Sequence, residues 1–271
     1  MKHVPCSSEY LTEAKIHNGL NTRWVGRNIF SFGSLKSTNE YAFLLAEDGA
    51  EEGTVVVADE QSAGRGRFGR AWHSPPGVGL WSSIILRPDL FPWEAPKITM
   101  VTALAVACAI ERTTDLAAVL KWPNDVLVGN RKVCGILTEL NAEIDSVNFV
   151  IIGMGLNVNQ CEWEFPVALR ETATSLRIEG GRPFSRINVF QALLREFESV
   201  YGRMVEYGFP ALLDELKARS CLIDKTVAIR LKNRIYKGKV VNIDDGGGLV
   251  LKVGNDRIEH IISGEVQLIE G

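Results

Sequence analysis

The sequence predicts an α+β fold, in which a mixed β-sheet domain with helices is followed by a small C-terminal β-barrel. Residues 54–58 form an unbroken apolar and β-branched run, which is typical of a buried strand. Residues 98–113 are apolar on nearly every side, as expected of a buried helix. Beyond Cys221, short apolar runs follow one another closely, which favours a small antiparallel barrel.

The other elements follow from local patterns along the chain. Further strands are predicted at 28–32, 80–86, 118–121, 126–128, 132–140 and 147–158. Further helices are predicted at 40–47, from Ser185 onward, and from Pro210 to Arg219. Gly129-Asn130 predicts a two-residue hairpin turn. We expect an N-terminal arm over 1–27, a main domain over 28–220 and a C-terminal domain over 221–271.

Composition narrows the class of protein. The 271 residues carry a formal net charge of −3, so any basic patch that binds an anion must be local. The five cysteines are odd in number and form no CxxC pair, which argues against a zinc site or a disulfide framework. Residues 100–110 are the longest apolar run, and they are too few to span a bilayer. We therefore expect a cytoplasmic protein with no membrane partner.

The loop from Gln61 to Trp72 is the most informative stretch. Glycine and arginine alternate from Gly64 to Arg70, between two predicted strands. Glycine lets the backbone approach a ligand closely, and arginine offers a fork of donors that suits phosphate or carboxylate. An RNA-binding RGG segment and a solvated basic turn are the alternatives. Because RGG segments lie in low-complexity tails, the flanking core strands favour an anion-binding loop.

Three further polar clusters leave alternatives open when each is taken alone. Ser37-Thr38-Asn39 either only caps the following helix or also binds a ligand. The Lys-Trp-Pro-Asn-Asp segment that ends at Asp125 is an ordinary turn or part of a site. Lys132 begins an apolar strand, either as a charge that protects a sheet edge or as a positioned cation.

Taken together and in order, these motifs resemble the biotin protein ligases (biotin–acetyl-CoA-carboxylase ligases). The resemblance covers about residues 28–160, and it is carried by the Gly/Arg loop, the 121–125 segment, Lys132-x-x-Gly-Ile-Leu and Gly153-x-Gly-x-Asn157. It implies a class II synthetase-like catalytic domain. The C-terminal region is similar to the SH3-like domain of that family.

The resemblance implies two reaction steps that use biotin, ATP and Mg²⁺. Biotin and ATP first give biotinyl-5′-AMP, and biotin is then transferred to a lysine of a biotin carboxyl carrier protein domain. Two anions must be held in line, which fixed cations and amides achieve by positioning and charge stabilisation. A homodimer is compatible with the family.

The resemblance also implies roles for individual residues. Lys132 and Arg67 are the expected catalytic residues, and Asp125 is the expected Mg²⁺-linked carboxylate. The expected biotin contacts are Ser37, Thr38, Asn39, Gln61, Gly64, Arg65, Gly66, Arg67, Lys132 and Gly135. The expected ATP contacts are Arg67, Arg70, Trp72, Asn124, Asp125 and Asn157. We expect the Gly/Arg loop to act as a lid that excludes water from the activated ester.

Two other functions compete with this interpretation. Lipoate–protein ligases are related in fold and also form adenylates, but their matching loop lacks the Gly/Arg pattern. A nucleic-acid-binding co-repressor without catalysis would use the arginines on phosphates. The acidic net charge and the short stretch before residue 28, which is too short for a helix-turn-helix, argue against DNA as a partner.

Overall fold

The computed structural model describes residues 10–231, 234–254 and 257–269, and within them a mixed seven-stranded sheet forms the main body. Its strands run in the order β1-β2-β3-β7-β6-β5-β4. They are β1 (Ile29–Leu35), β2 (Val55–Gln61), β3 (Gly79–Leu86), β4 (Ala118–Lys121), β5 (Asp125–Val128), β6 (Arg131–Ala142) and β7 (Val147–Asn157). Only β1 and β2 pair in parallel. The predicted strands are confirmed, as is the hairpin across Gly129, whose φ is +60°.

Six α-helices accompany the strands in the described part of the chain. They are α1 (Glu13–His17), α2 (Thr38–Glu47), α3 (Ala95–Thr113), α4 (Leu176–Gly180), α5 (Arg186–Tyr207) and α6 (Leu213–Arg219). Ser185 caps α5 by accepting a hydrogen bond from the amide of Asn188, as its position before the apolar periodicity predicts. A 3₁₀ turn over Phe209–Leu212, which contains Pro210, leads into α6.

The two faces of the sheet differ in what covers them. Along β2, Val55 and Val57 pack into the large core with α3 and α5, whereas Val56 packs into a smaller core under α2. This alternation follows from the two-residue period of a strand. The small core covers only part of its face, since α2 has ten residues. The uncovered remainder of that face is where the site lies.

Residues 10–27 pack against the main domain. Leu11, Ile16 and Val25 are buried in the large core. The Glu198 carboxylate on α5 accepts hydrogen bonds from the backbone amides of residues 23–25 at 2.8–3.0 Å. The segment is therefore part of the packed structure and not a free arm; residues 1–9 lie outside the described range.

The C-terminal region forms a second, antiparallel sheet with the order β11-β10-β9-β8-β12. Its strands are β8 (Thr226–Leu231), β9 (Arg234–Ile243), β10 (Leu249–Val253), β11 (Arg257–Ile261) and β12 (Glu265–Leu268). The α+β prediction with a small C-terminal β unit is confirmed. A hydrogen bond connects this sheet to the main body: Trp122 Nε1 donates to the Gly247 carbonyl oxygen at 2.9 Å.

The apolar helix α3 is, together with the turn before it, long and apolar enough to span a bilayer by length and composition alone. Thirteen of its residues are buried between the sheet and the neighbouring helices, which is the setting of a core helix.

Candidate active site

A cavity of about 520 Å³ opens on the α2 face of the main sheet. It brings together all of the site residues that the sequence predicts, with the exception of Gly64. The predicted residues that line it are Ser37, Thr38, Asn39, Gln61, Arg65, Gly66, Arg67, Arg70, Trp72, Asn124, Asp125, Lys132, Gly135 and Asn157.

One end of the cavity is a neutral polar pocket at the start of α2. Ser37 caps the helix, since its Oγ accepts from the amide of Glu40. Gln61 Oε1 accepts from the Thr38 amide at 2.8 Å and from Thr38 Oγ1 at 3.1 Å, while Gln61 Nε2 donates to Ser74 Oγ at 2.9 Å. Thus Ser37 has a capping role and also faces the cavity, and its neighbours are held in fixed orientations.

Asn39 is 4% exposed and is held by three groups around this pocket. Its Nδ2 donates to Glu139 Oε2 at 2.7 Å and to the Leu137 carbonyl oxygen at 3.3 Å, and its Oδ1 accepts from Ser83 Oγ at 2.6 Å. Gly153 makes room for this amide, because a Cβ at that position would lie 2.1 Å from Asn39 Oδ1.

Two glycines on adjacent strands create the space for Trp72. Gly135 and Gly155 pair directly across β6 and β7. A Cβ at Gly155 would lie 2.3 Å from Trp72 Nε1, and one at Gly135 would lie 2.8 Å from the far edge of the same indole. The indole therefore rests on backbone, as glycine in a strand interior predicts. Lys132 Nζ lies 5.1 Å from the ring centroid.

Lys132 is positioned by its backbone as well as by its side chain. Its amide donates to the Thr172 carbonyl oxygen and its carbonyl oxygen accepts from the Thr174 amide, so residues 172–174 run beside it as a short bridge. Its Nζ lies 2.6 Å from Asp125 Oδ1, with side chains 29% and 24% exposed. Lys132 is thus a positioned cation and not an exposed charge that guards a sheet edge.

The Gly/Arg loop, residues 61–72, folds back on itself over the cavity. The Trp72 amide donates to the Gly64 carbonyl oxygen at 2.8 Å, and the Gly66 amide donates to the Arg70 carbonyl oxygen at 2.7 Å. Phe68 at the tip has φ +58° and is 66% exposed. Gly64 does not line the cavity: a Cβ there would lie 2.6 Å from the Trp72 carbonyl oxygen, so this glycine serves the close approach of the two loop strands.

The first two loop arginines point to different partners. Arg67 Nη1 donates to Asn124 Oδ1 at 3.0 Å, and Asn124 Nδ2 in turn donates to the Ile136 carbonyl oxygen at 2.9 Å. Burial lowers the pKa of the Arg67 guanidinium below its ordinary value, but an arginine retains its charge near neutral pH. Arg65 Nη2 lies 3.7 Å from Glu139 Oε1.

The C-terminal sheet closes one side of the cavity. Arg70 forms an ion pair with Glu265, at the start of β12, and Arg67 Nη2 donates weakly to Ser263 Oγ at 3.4 Å. Residues 264–266 line the cavity. The side chain of Arg70 is 71% exposed and that of Glu265 is 34% exposed, so this contact lies at the rim.

Asn157 lies at the buried end of β7 with its amide already engaged. Its Nδ2 donates to the Thr174 carbonyl oxygen at 2.9 Å, and its Oδ1 accepts from Gln160 Nε2 at 2.8 Å. Asn157 therefore supports the segment beside Lys132 in addition to lining the cavity.

Sequence reasoning missed several residues that build the site. Ser83 could have been recognised as a site residue because it is polar and lies inside the apolar strand β3. Glu139 could have been recognised because it shares the two-residue period of Gly135 on β6 and so lies on the same face. No local pattern identifies Ser263 and Glu265, because they contact the loop from almost 200 residues away in the chain.

A magnesium site made by protein groups alone is not present within residues 10–231, 234–254 and 257–269, where no three His, Cys, Asp or Glu side chains cluster. Magnesium is commonly held by one or two carboxylates together with substrate phosphates. Asp125, which faces the cavity, fits that arrangement.

Comparison with known proteins places this architecture in a family. Residues 31–157 match the Biotin/lipoate A/B protein ligase family, and residues 222–269 match the Biotin protein ligase C terminal domain. The bifunctional ligase/repressor BirA of Bacillus subtilis is 41% identical over 95% of this chain and 79% of its own length. The biotin–[acetyl-CoA-carboxylase] ligase of Mycobacterium tuberculosis is 34% identical over 80% of each chain.

A solved structure shows the same similarity in fold. The biotin protein ligase from Aquifex aeolicus in complex with biotin and ATP has a TM-score of 0.78 and 31% identity, over 90% of this chain and 100% of that one. These proteins share the two-part architecture and are more than 30% identical to this chain over most of both chains. This chain therefore belongs to the biotin protein ligase family.

Proposed function

We propose that this chain joins biotin to ATP and then transfers biotin to a lysine of a biotin carboxyl carrier protein domain. The observation that carries the proposal is that a neutral polar pocket and a set of cations open into one cavity. The pocket suits a ligand whose polar head both donates and accepts hydrogen bonds, as a ureido ring does. The cations suit a carboxylate and a triphosphate.

In the first step, a biotin carboxylate oxygen attacks the α-phosphorus of ATP, and the bond from that phosphorus to the bridging oxygen of pyrophosphate breaks. Both reactants are anions, so their approach has an electrostatic barrier that fixed cations lower. We assign this role to Lys132, because its Nζ would stabilise the negative charge of the carboxylate and of the α-phosphate at the same time as they approach each other. Arg67, held by Asn124, supplies a second charge.

In the second step, the amine of the carrier lysine attacks the acyl carbon of biotinyl-5′-AMP. The bond from that carbon to the AMP oxygen breaks, AMP leaves, and the proton that the amine gives up as the amide forms passes to bulk water. Lys132 and Arg67 stabilise the charge that develops on the leaving phosphate. The Gly/Arg loop keeps water away from the mixed anhydride until the carrier arrives.

The remaining site residues divide between the two substrates. We propose Ser37, Thr38, Asn39 and Gln61 for the ureido ring, and Arg65, Gly66 and Gly135 for the rest of biotin. Arg70, Trp72, Asn124 and Asn157 serve the ATP side, while Gly64 shapes the loop. Mg²⁺, when bound through Asp125 and the phosphates, would neutralise phosphate charge.

The lipoate–protein ligases are the closest alternative, since the matched family includes them. Three features favour biotin: the Gly/Arg loop, the polar pocket and the C-terminal match. The division at residues 27 and 220, the cytoplasmic location, the possible homodimer and the lack of a DNA partner stay predictions.

Exchange of labelled pyrophosphate into ATP tests the first step without a carrier protein. We expect exchange that requires biotin and Mg²⁺ and that lipoate does not support. Exchange with lipoate alone, or none with either acid while the protein is folded, would overturn the proposal.

A further inference from the structure

Glu139 is an acidic residue on β6 that lies behind the neutral polar pocket and does not itself line the cavity. One of its carboxylate oxygens, Oε2, accepts from Asn39 Nδ2 at 2.7 Å. The other, Oε1, lies 3.7 Å from Arg65 Nη2 on the Gly/Arg loop. A single side chain thus contacts both the polar pocket and the loop that covers it.

The contact with Glu139 decides which way the Asn39 amide faces. A carboxylate only accepts hydrogen bonds, and so does the Leu137 carbonyl oxygen, so both groups require the NH₂ side of the amide. Asn39 Oδ1 consequently points to the other side, over Gly153, which lines the cavity. A reversed amide would place its oxygen against two other acceptors.

Asn39 Oδ1 retains acceptor capacity in this orientation. An amide oxygen can accept two hydrogen bonds, and Ser83 Oγ supplies one of them. The second position is available to a ligand that carries an N–H donor. A ligand that presents only an acceptor, or an apolar ring, gains nothing there.

We propose that Glu139 is a positioning residue for specificity: it locks Asn39 with its amide oxygen toward the cavity and so selects ligands with an N–H group. This inference rests on the proposed function, in which that N–H belongs to the ureido ring of biotin. The pairing of Glu139 with Arg65 adds a smaller, charge-dependent contribution through the loop, because both side chains are partly exposed.

A double-mutant cycle tests whether Glu139 acts through Asn39. We expect Glu139→Ala to weaken biotin binding about tenfold, in line with one mispositioned hydrogen bond to a buried group, while the KM for ATP and kcat change less than threefold. Asn39→Ala should weaken biotin binding by at least as much. In the Asn39→Ala background, Glu139→Ala should add less than a further twofold loss, since the amide it orients is gone.

Two further variants guard against a purely structural effect. Glu139→Gln keeps an acceptor for Asn39 Nδ2 and should retain biotin affinity within about threefold, as expected if the acceptor matters more than the charge. Glu143→Ala removes an exposed carboxylate from the turn after the same strand and should leave both KM values unchanged. Melting temperatures of all variants establish that they are folded.

The outcomes separate this inference from the proposed function. Additive losses in the cycle, unchanged biotin affinity in Glu139→Ala, or an equal loss in Glu139→Gln would each overturn the positioning role. Failure of the unmodified chain to use biotin at all would instead overturn the proposed function.

Discussion

Lys132 and Asp125 form an ion pair, 2.6 Å from Nζ to Oδ1, in the wall of the cavity. The hairpin across Gly129 brings them together, because Asp125 begins β5 and Lys132 lies near the start of β6. The pair holds a cation ready at the point where we propose that two anionic substrates meet. Its side chains are each about a quarter exposed, so removing either partner leaves the other mostly buried and without its opposite charge.

Lys132→Met is expected to lower adenylation far more than it lowers stability. Loss of one positioned charge at a developing phosphate charge should lower kcat for adenylation by about 100-fold or more. The free energy of unfolding should fall by about 1–3 kcal/mol, since the buried Asp125 Oδ1 loses the cation beside it. Quenched-flow detection of the adenylate and chemical denaturation measure the two quantities. A variant that retains near-normal adenylation would remove Lys132 from the mechanism.

Gly155→Ala is expected to disturb the indole of Trp72. The added Cβ would lie 2.3 Å from Trp72 Nε1, and overpacking of this kind costs about 1–3 kcal/mol. We expect the KM for ATP to rise about tenfold, which corresponds to 1.4 kcal/mol.

Gly202→Ala is the matched control for that variant. Gly202 lies on α5, and a Cβ there meets no atom within 4 Å. Replacing a helical glycine should stabilise the fold by about 0.5–1 kcal/mol and leave both KM values unaltered. Equal kinetic effects of the two substitutions would show that the indole position is not what matters.

Arg70 and Glu265 connect the Gly/Arg loop to the C-terminal sheet, and breaking this ion pair should loosen the lid. Because Arg70 is largely exposed, the pair is worth no more than about 1 kcal/mol, or about a fivefold change in the rate of adenylate release. Arg70→Ala and Glu265→Gln should each speed release, and the double variant should release no faster than the single ones.

Adenylate release can be followed by chasing bound labelled intermediate with unlabelled substrates. Arg112→Ala breaks an ion pair with Glu196 on the helical side of the molecule, in which the arginine is about as exposed as Arg70, and should not affect release. Additive effects of Arg70→Ala and Glu265→Gln would argue that the two residues act independently of one another.

Removal of Mg²⁺ should stop adenylation without unfolding the protein. The described part of the chain has no cluster of three metal-ligating side chains, and we expect the ion to enter with the phosphates of ATP. We expect chelation to leave biotin affinity and the melting temperature unchanged, as measured by calorimetry. Adenylation at the full rate in excess chelator would contradict this assignment.

The strands of the sheet were predictable from the sequence, since apolar β-branched runs such as 54–58 are typical of buried strands. In α2 the helical spacing puts Tyr41, Leu44 and Leu45 on one face, but that spacing alone does not say which residues are buried. Leu44 is 59% exposed, whereas Ala42 and Ala46 are buried. Small residues let this short helix approach the sheet closely, and such packing is not visible in helical periodicity alone.

The residues that the structure gathers around the cavity were predictable from the sequence where they form dense local motifs. Gly155 was recognisable because glycine within a strand marks a close approach, and Gly135 because it belongs to the Lys132-x-x-Gly motif; Trp72 is the group that approaches both. Glu265 was not recognisable, because its contact with the loop depends on how the C-terminal sheet docks. That docking is a property of the tertiary structure and leaves no trace in local spacing.

The most direct test that this chain biotinylates a carrier protein is transfer of labelled biotin, with ATP and Mg²⁺, to a biotin carrier domain, with labelled lipoate in a parallel reaction. We expect label from biotin alone, attached to one carrier lysine and lost when that lysine is replaced. Label from lipoate and none from biotin would contradict this expectation, because the polar pocket at the start of α2 would then have been assigned to the wrong ligand.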